Sequence, residues 1–311
     1  MNNQFYILLI AFAFCISCLK VSSDSEQDSD FVTWELKNNV KTLEEKSYQF
    51  IYNVDSIDLN EPDFERDFIL QSVEKVSFNE DGMATENDSY RPEKLDYRTV
   101  QSFSDQGKVR KKIIYNEEGL VDYFHELTYD EVGNLEQDRA YHYDSTIYIS
   151  KVFSYNELQQ RVQEVHYRYK KKRWTRTFEY DRKGRLKMET YDSEQNPSTR
   201  LHSYNRSGEL SSIVFQKPDG TLIKEEFYEY KGNVLAQKKM IDHRKNTRTI
   251  FQYNSEGFIS VDRRWTMEDG IEKLKSKSAV YQYDRLGNWI RRDSYTEQRL
   301  RHIHLRKIEY Y

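Results

Sequence analysis

One short phrase recurs along this chain: an aromatic residue, Asn or Asp, two variable residues, then Gly. It reads Phe78-Asn79-Glu80-Asp81-Gly82, Tyr115-Asn116-Glu117-Glu118-Gly119 and Tyr129-Asp130-Glu131-Val132-Gly133. It returns as Tyr180-Asp181-Arg182-Lys183-Gly184, Tyr204-Asn205-Arg206-Ser207-Gly208, Tyr253-Asn254-Ser255-Glu256-Gly257 and Tyr283-Asp284-Arg285-Leu286-Gly287. Every fixed position has a job in a tight turn. Asn or Asp at the first turn position accepts hydrogen bonds from backbone amides further on. The next two residues take ordinary right-handed conformations and so vary freely. Gly then goes to positive φ without a Cβ penalty and closes a type I turn with a bulge. The aromatic residue ends the strand before the turn, where a large ring suits a pleated, half-buried surface.

The flanks agree. Phe178 and Tyr180 share one face of Thr175-Arg176-Thr177-Phe178-Glu179-Tyr180, and after the turn Leu186 and Met188 share a face against Lys187 and Glu189. Period-2 alternation between turn signals is the strand signature. Phe103-Ser104-Asp105-Gln106-Gly107 is a Ser variant of the phrase. Lys217-Pro218-Asp219-Gly220, Tyr230-Lys231-Gly232-Asn233 and Glu268-Asp269-Gly270 turn the chain by other means. Tyr143-Asp144 and Tyr155-Asn156 read as decayed copies that lack the Gly. From Tyr129 the spacing runs through Tyr155, Tyr180, Tyr204, Tyr230 and Tyr253 in steps of 23 to 26 residues, with a longer step of 30 to Tyr283. That is the length of one two-stranded hairpin with its turns, and it sits in the range of repeat architectures.

The phrase resembles the YD-repeat family, the Rhs-like repeats of bacterial surface and secreted proteins. The copies that carry the likeness best are Tyr129-Asp130-Glu131-Val132-Gly133-Asn134 and Tyr281-Gln282-Tyr283-Asp284-Arg285-Leu286-Gly287-Asn288-Trp289. Asn39-Val40-Lys41-Thr42-Leu43-Glu44-Glu45-Lys46-Ser47-Tyr48 also looks like the first strand of envelope lipoproteins with such repeats. The resemblance covers the chain from about Val40 onward. Shell formation and toxin delivery do not carry over, because there is no long array to enclose a cargo and no recognisable toxin module.

The start of the chain suggests an address. Residues 5 to 16 are almost wholly apolar, too short for a comfortable bilayer crossing and suited to a signal-peptide core. Ser17 before Cys18 suggests a lipobox, with Cys18 as the lipidated first residue. Cys15 stands where Leu is usual, and no Lys or Arg precedes the apolar run. If Cys18 is acylated and Cys15 removed, no thiol remains for a disulfide. The acidic stretch Ser22 to Asp30 reads as a tether, with surface export as a further expectation. The expected organisation is therefore a signal peptide over 1–17, a tether over 18–30 and a β-hairpin repeat domain over 31–311.

Composition shapes the expected fold. The chain is only 37% hydrophobic and 32% charged, yet it has 25 Tyr. A deep aliphatic core is not expected. Tyr rings covering a thin sheet, with hydroxyls left at water, and ladders of aromatic and opposite-charge pairs are. Thr33 to Lys37 suits a short helical turn, and Val40 to Phe50 a strand. The predicted fold is all-β: an extended meander of consecutive antiparallel hairpins in a twisted or curled open sheet.

Few residues suggest chemistry. Lys170-Lys171-Lys172-Arg173 marks a hairpin tip between Tyr169 and Trp174, solvated or touching an anionic glycan or lipid headgroup. His302 and His304 share one strand face, as two metal ligands would, but no third ligand is nameable. Trp174, Trp265 and Trp289 pack within the sheet or stack on sugars. The glycines are explained by turns, and no catalytic, cofactor-binding or metal residue is assigned; ligand-binding residues and oligomeric state stay open. A net charge of −4 does not point to nucleic acid. The expectation is a non-enzymatic envelope lipoprotein, membrane-bound through its lipid and associated with the outer membrane. It would bind a protein or glycan, or serve a structural role. An accessory or immunity component of a secreted effector system, or a glycan-acting hydrolase, is the alternative.

Overall fold

The computed structural model describes residues 33–51, 67–268 and 271–311. Among them run twenty strands. The first five are β1 (Val40–Phe50), β2 (Phe68–Phe78), β3 (Ala84–Arg91), β4 (Lys94–Phe103) and β5 (Val109–Tyr115). Then come β6 (Val121–Tyr129), β7 (Leu135–His142), β8 (Ile147–Tyr155), β9 (Arg161–Arg168) and β10 (Lys171–Tyr180). Next are β11 (Leu186–Ser193), β12 (Ser198–Tyr204), β13 (Leu210–Gln216), β14 (Leu222–Lys231) and β15 (Val234–Asp242). The last are β16 (Thr247–Tyr253), β17 (Ile259–Glu268), β18 (Ile271–Tyr283), β19 (Trp289–Thr296) and β20 (Arg299–Tyr310). The expected signal peptide, Cys18 and the tether lie outside the described residues, as do Asp269 and Gly270 of one expected turn.

Each strand pairs antiparallel with its neighbours in sequence, as an uninterrupted meander requires. The open sheet expected from the repeats is corrected, however. β1 pairs on one side with β2, Leu43 opposite Val76, and on the other with β20, Leu43 opposite Ile308. The twenty strands thus form a closed barrel. Closure removes the two rows of unpaired amides and carbonyls that an open sheet leaves at its edges. The repeat itself encodes only local hairpins, so the pairing of the first strand with the last has no local signature.

The turns follow the phrase closely. In the β6–β7 turn the Asp130 carboxylate accepts the amides of Val132 and Asn134 at 3.1 and 2.7 Å, and Gly133 sits at φ 92°. The register slips one residue between Thr128 and Tyr129, the expected bulge. Ser104 substitutes as expected, its hydroxyl accepting from the amides of Gln106 and Lys108. The two decayed copies have different fates. At Tyr155-Asn156 the turn survives intact, with Gln159 held at φ 63° where Gly would sit. Near Tyr143-Asp144 the turn begins two residues earlier: His142 accepts the amide of Ser145, and Ser145 takes the positive φ of 66°.

The tyrosine hydroxyls are a second correction. Several are not left at water. Tyr129 donates to the carbonyl of Val109 at 2.9 Å, Tyr155 to Leu135 at 2.9 Å, Tyr180 to Arg161 at 2.8 Å and Tyr204 to Leu186 at 2.8 Å. Each acceptor opens the preceding strand, just past its own turn. A phenol at the end of one strand therefore latches onto the turn of the hairpin before it. Side chains one residue past the turn add a belt along the same rim. Lys108 donates to the carbonyl of Gly133, Asn134 to Gln159 at 2.6 Å and Gln160 to the carbonyl of Gly184 at 2.7 Å.

The N-terminal lead completes that rim. Helical backbone at Thr33 passes into a turn at Trp34 and Glu35, Glu35 at φ 56°, so the expected helical turn is short and ends there. Asn288, wholly buried, exchanges bonds with Lys37: the Lys37 amide donates at 2.5 Å and the Asn288 amide returns to the Lys37 carbonyl at 2.9 Å. The main apolar cluster sits here, with Leu36, Val40, Leu43, Val76, Phe78 and Ala84 packed under Trp34, Ile308 and Tyr310. The rest of the barrel is thin, as expected from its low aliphatic content.

Both faces of the sheet carry charges. Neighbouring residues in a strand point to opposite faces. Glu44-Glu45, Lys111-Lys112, Glu225-Glu226, Lys238-Lys239, Arg263-Arg264 and Arg291-Arg292 each place a charge on either side. A lipid-facing barrel needs a continuous apolar band on one face, and these pairs interrupt it. The faces still differ. The one carrying Leu43, Phe153, Glu164, Phe178, Glu189, Glu226 and Thr249 buries all of these, and is here the crowded face.

Candidate binding surface

The expected hairpin tip forms one residue earlier than the basic run suggests. Tyr169 and Lys170 make the two-residue turn at φ 47° and 62°, and Lys171 to Arg173 already belong to β10. Two positive φ values in a row give the turn that matches the twist of flanking strands. Lys171, Lys172 and Arg173 are exposed.

Beside this tip, on the crowded face, rings from successive strands meet. Tyr123 of β6 lies edge-on to Tyr148 of β8 at 6.2 Å between centroids. His142, at the end of β7, stacks on Tyr148 at 4.4 Å, and its Nε2 is 3.3 Å from the Tyr169 hydroxyl. One strand on, His166 of β9 lies opposite Trp174 of β10, and their rings stack at 4.9 Å, only 3° from parallel. Trp174 in turn meets Tyr191 of β11 at 5.4 Å. Bulges between Ala140 and Tyr141, and between Lys172 and Trp174, help bring these rings to one face. The sequence pointed to Trp174 and the basic run but missed His142, Tyr148 and His166. Their common face depends on those bulges, which shift the period-2 count.

The electrostatics are local. Residues 161–180 hold seven Lys and Arg against two Glu, a surplus of +5 in a chain of net −4. Burial, then Lys151, Arg168 and Arg173, lower the pKa of His166, so its ring is neutral at physiological pH. His166 Nδ1 is buried without a hydrogen-bond partner. Burial and the neighbouring Tyr123 push the Tyr148 phenol up to about 12. Carboxylates sit among the cations: Asp138 is 2.7 Å from His125 and 4.0 Å from Lys151, and Glu164 is 3.9 Å from Arg176.

The other sequence candidates are held by structural partners. Trp289 is only 1% exposed, donates from Nε1 to Glu35 at 2.8 Å, and lies 3.4 Å from the Arg306 guanidinium. It belongs to the closing seam and is unavailable for a sugar. Trp265 is half-buried under Arg248 at 4.4 Å. His302 and His304 do share a face, but His304 Nδ1 is 3.1 Å from Glu45. Among the described residues no three His, Cys, Asp or Glu gather as a metal site would require.

One carboxylate pair does have the split character of an acid and its partner. Glu45 of β1 lies directly opposite Glu74 of β2. Burial would raise Glu45, yet His304 and Arg306 outweigh it and hold its carboxyl at about 2. Burial, with Glu45 beside it, pushes Glu74 up to about 7; Ser89 donates to one of its oxygens at 2.5 Å and the other is buried without a partner. A groove of about 310 Å³ lined by Glu44, Lys46, Val73, Lys75 and Tyr90 crosses the same strands, but on the opposite face. It delivers no substrate to the pair.

No family model matches the chain, and no curated protein matches it. Solved structures resemble it distantly. The crystal structure of TcdB2-TccC3-Cdc42 aligns with 74% of this chain and 14% of its own, at 12% identity and a TM-score of 0.41. That of TcdB2-TccC3-TEV aligns with 73% and 15%, at 14% identity and 0.36. A porin-like protein from Bacteroides uniformis aligns with 87% and 96%, at 10% identity and 0.36. The chain thus spans only a small part of the toxin chains it matches. These TM-scores carry no argument about function.

Proposed function

We propose that this protein is a non-enzymatic lipoprotein of the cell envelope, a YD-type hairpin barrel that presents an aromatic surface for a glycan or protein. The observation that carries the reading is the arc of rings from Tyr123 to Tyr191 beside an exposed basic tip. Aromatic faces with interspersed hydrogen-bonding groups suit ligands that have both apolar and hydroxylated sides. The polarity of the barrel supports it. The chain enters and ends at one rim, where Asn38 donates to Leu286 at 3.0 Å and the Tyr311 amide to Asn39 at 3.1 Å. The Tyr169-Lys170 tip lies at the other rim, since β9 and β10 run away from the turns that the lead joins. A lipid on Cys18 would then hold the entry rim toward the membrane and turn the arc outward.

Two experiments test this. Metabolic labelling with a fatty acid should mark the wild type and not Cys18→Ala, which should also leave the membrane fraction; continued labelling of the variant removes the lipoprotein claim. A glycan and protein pull-down from isolated envelopes with the mature domain should retain a ligand that Trp174→Ala loses. Retention unaffected by Trp174→Ala would move the ligand surface elsewhere.

A further inference from the structure

The ligand class can be narrowed if the glycan reading of the arc is accepted. We propose that the arc and the adjoining β9–β10 hairpin bind an anionic polysaccharide, one whose sugars carry carboxylates or sulfates. Three observations lead there.

The rings come in two sets on adjacent strands, Tyr123, His142, Tyr148 and Tyr169 in one, and His166, Trp174 and Tyr191 in the other. The sets are linked through β8 and the hairpin tip, where the Tyr169 amide donates to the Tyr148 carbonyl at 3.0 Å. An extended polymer that stacks along its length matches such a surface better than a small ligand seeking one recess. Tyr169 is 55% exposed and sits beside the rings of the first set.

The charge around the rings favours an anion. The seven cations of residues 161–180 include Arg168 and Arg173, which add to burial and Lys151 in lowering the pKa of His166, and the exposed Lys171 and Lys172 of the same hairpin. Beside Trp174 the Nδ1 of His166 is buried without a hydrogen-bond partner, one polar atom that the protein leaves unmet.

The carboxylates separate a polysaccharide from a polyphosphate. Asp138 and Glu164 stand on the same face as the rings and cations. They interrupt the basic surface, whereas a nucleic acid, with one charge per phosphate, needs a continuous basic track. A sugar hydroxyl, by contrast, donates to them. An anionic lipid surface fits less well, because the tip lies on the rim opposite to the one where the chain enters.

The test uses the lipid-free mature domain in about 100 mM salt, where charges more than about 10 Å apart are largely screened. Polygalacturonate, heparin, dextran, single-stranded DNA and phosphatidylglycerol vesicles are titrated in parallel by calorimetry and cosedimentation. Binding is expected to polygalacturonate or heparin. It should weaken about 10-fold in Trp174→Ala and in Tyr169→Asn, which keeps the turn, and further in the double variant K171E/K172E. Circular dichroism checks that each variant folds, and Tyr169→Asn stands in if Trp174→Ala does not. Equal or tighter binding to DNA or to vesicles overturns the proposal. So does loss of binding in K171E/K172E with no effect of either ring variant, which would mean charge alone. Dextran binding that the ring variants abolish overturns the anionic choice while leaving the wider glycan reading standing. Failure of every polysaccharide to bind overturns both.

Discussion

Glu74 offers the sharpest test of the energetics. Its carboxyl is pushed from 4.5 to about 7, first by burial and then by Glu45 directly across the strands. Glu45 is ionised throughout, because its folded pKa is about 2. In the unfolded chain Glu74 loses its proton near 4.5; in the barrel it keeps it until about 7. Below the unfolded value both states hold the proton and the group costs nothing. As pH rises toward 7 the unfolded chain gains by ionising first, so stability falls, and above the folded pKa the loss is complete. A full shift of this size corresponds to ~3 kcal/mol at about 1.4 kcal/mol per pH unit. Glu74 is only partly buried, so solvent screening reduces the expected loss to ~1–2 kcal/mol. Glu74→Gln keeps an acceptor for Ser89 and removes the ionisation. Urea unfolding of both proteins at pH 5 and pH 8 should show the wild type losing about that much more stability than the variant. Other titrating groups, His166 and His302 among them, are common to both and cancel. Equal losses would sink the assignment. A uniform destabilisation of the variant at both pH values would mean that the carboxyl serves only as a hydrogen-bond acceptor.

Other expectations follow from the turns, the latches and the seam. Tyr129→Phe, Tyr180→Phe and Tyr204→Phe should each cost ~1 kcal/mol by urea unfolding, since each removes one phenol bond to a backbone carbonyl. Three variants indistinguishable from wild type would show that the latches add nothing. Gly184→Val should destabilise by roughly 1 kcal/mol or more, because Gly184 is at φ 76° and a Cβ would meet the Gln160 amide at 3.3 Å. Unchanged melting would undo the turn assignment. Asn288→Ala should cost about 2–3 kcal/mol and raise protease cleavage within 33–39, as it deletes bonds to Lys37 and Tyr310 inside a buried site. Resistance equal to wild type would mean that the lead is held by packing alone. For Glu226, burial would raise the carboxyl, but Lys238 and Lys224 overcome it and hold it at about 2. Its contribution is present above pH 4.5 and lost as pH falls toward 2; Glu226→Gln should flatten the acid limb of unfolding there, and an unaltered limb would refute it.

The hairpins were readable because each is encoded within a few residues. Asp130, Gly133 and the flanking alternation determine one turn without help from elsewhere. Gln159 shows the limit of that reading: a bulky residue replaces Gly when Asn156 and the belt contact from Asn134 hold the turn. The latches were missed because a tyrosine hydroxyl reaching 18 to 20 residues back leaves no pattern that separates it from a wet one. The ring arc was half visible. Trp174 and the basic run stand out, whereas His142 and Tyr148 reach the same face only through a bulge. Closure was invisible for a similar reason. The Leu43–Ile308 pairing joins the two ends of the chain, and neither residue is unusual for a strand.

The seam also governs when the barrel can exist. β1 is made early, yet its second partner β20 follows every other described strand. Until then the growing sheet keeps two bare edges, however many hairpins have formed. A chain that stops short can be well paired locally and still sticky at both ends. Nor does any single hairpin say how many should join the ring. The ring is closed by the β1–β20 pairing, and beside it Lys37 meets Asn288 and the Tyr311 hydroxyl reaches the Phe78 carbonyl. Duplication or loss of one repeat would leave every turn intact. Its success would depend on whether those few contacts can still find each other around a ring of different girth.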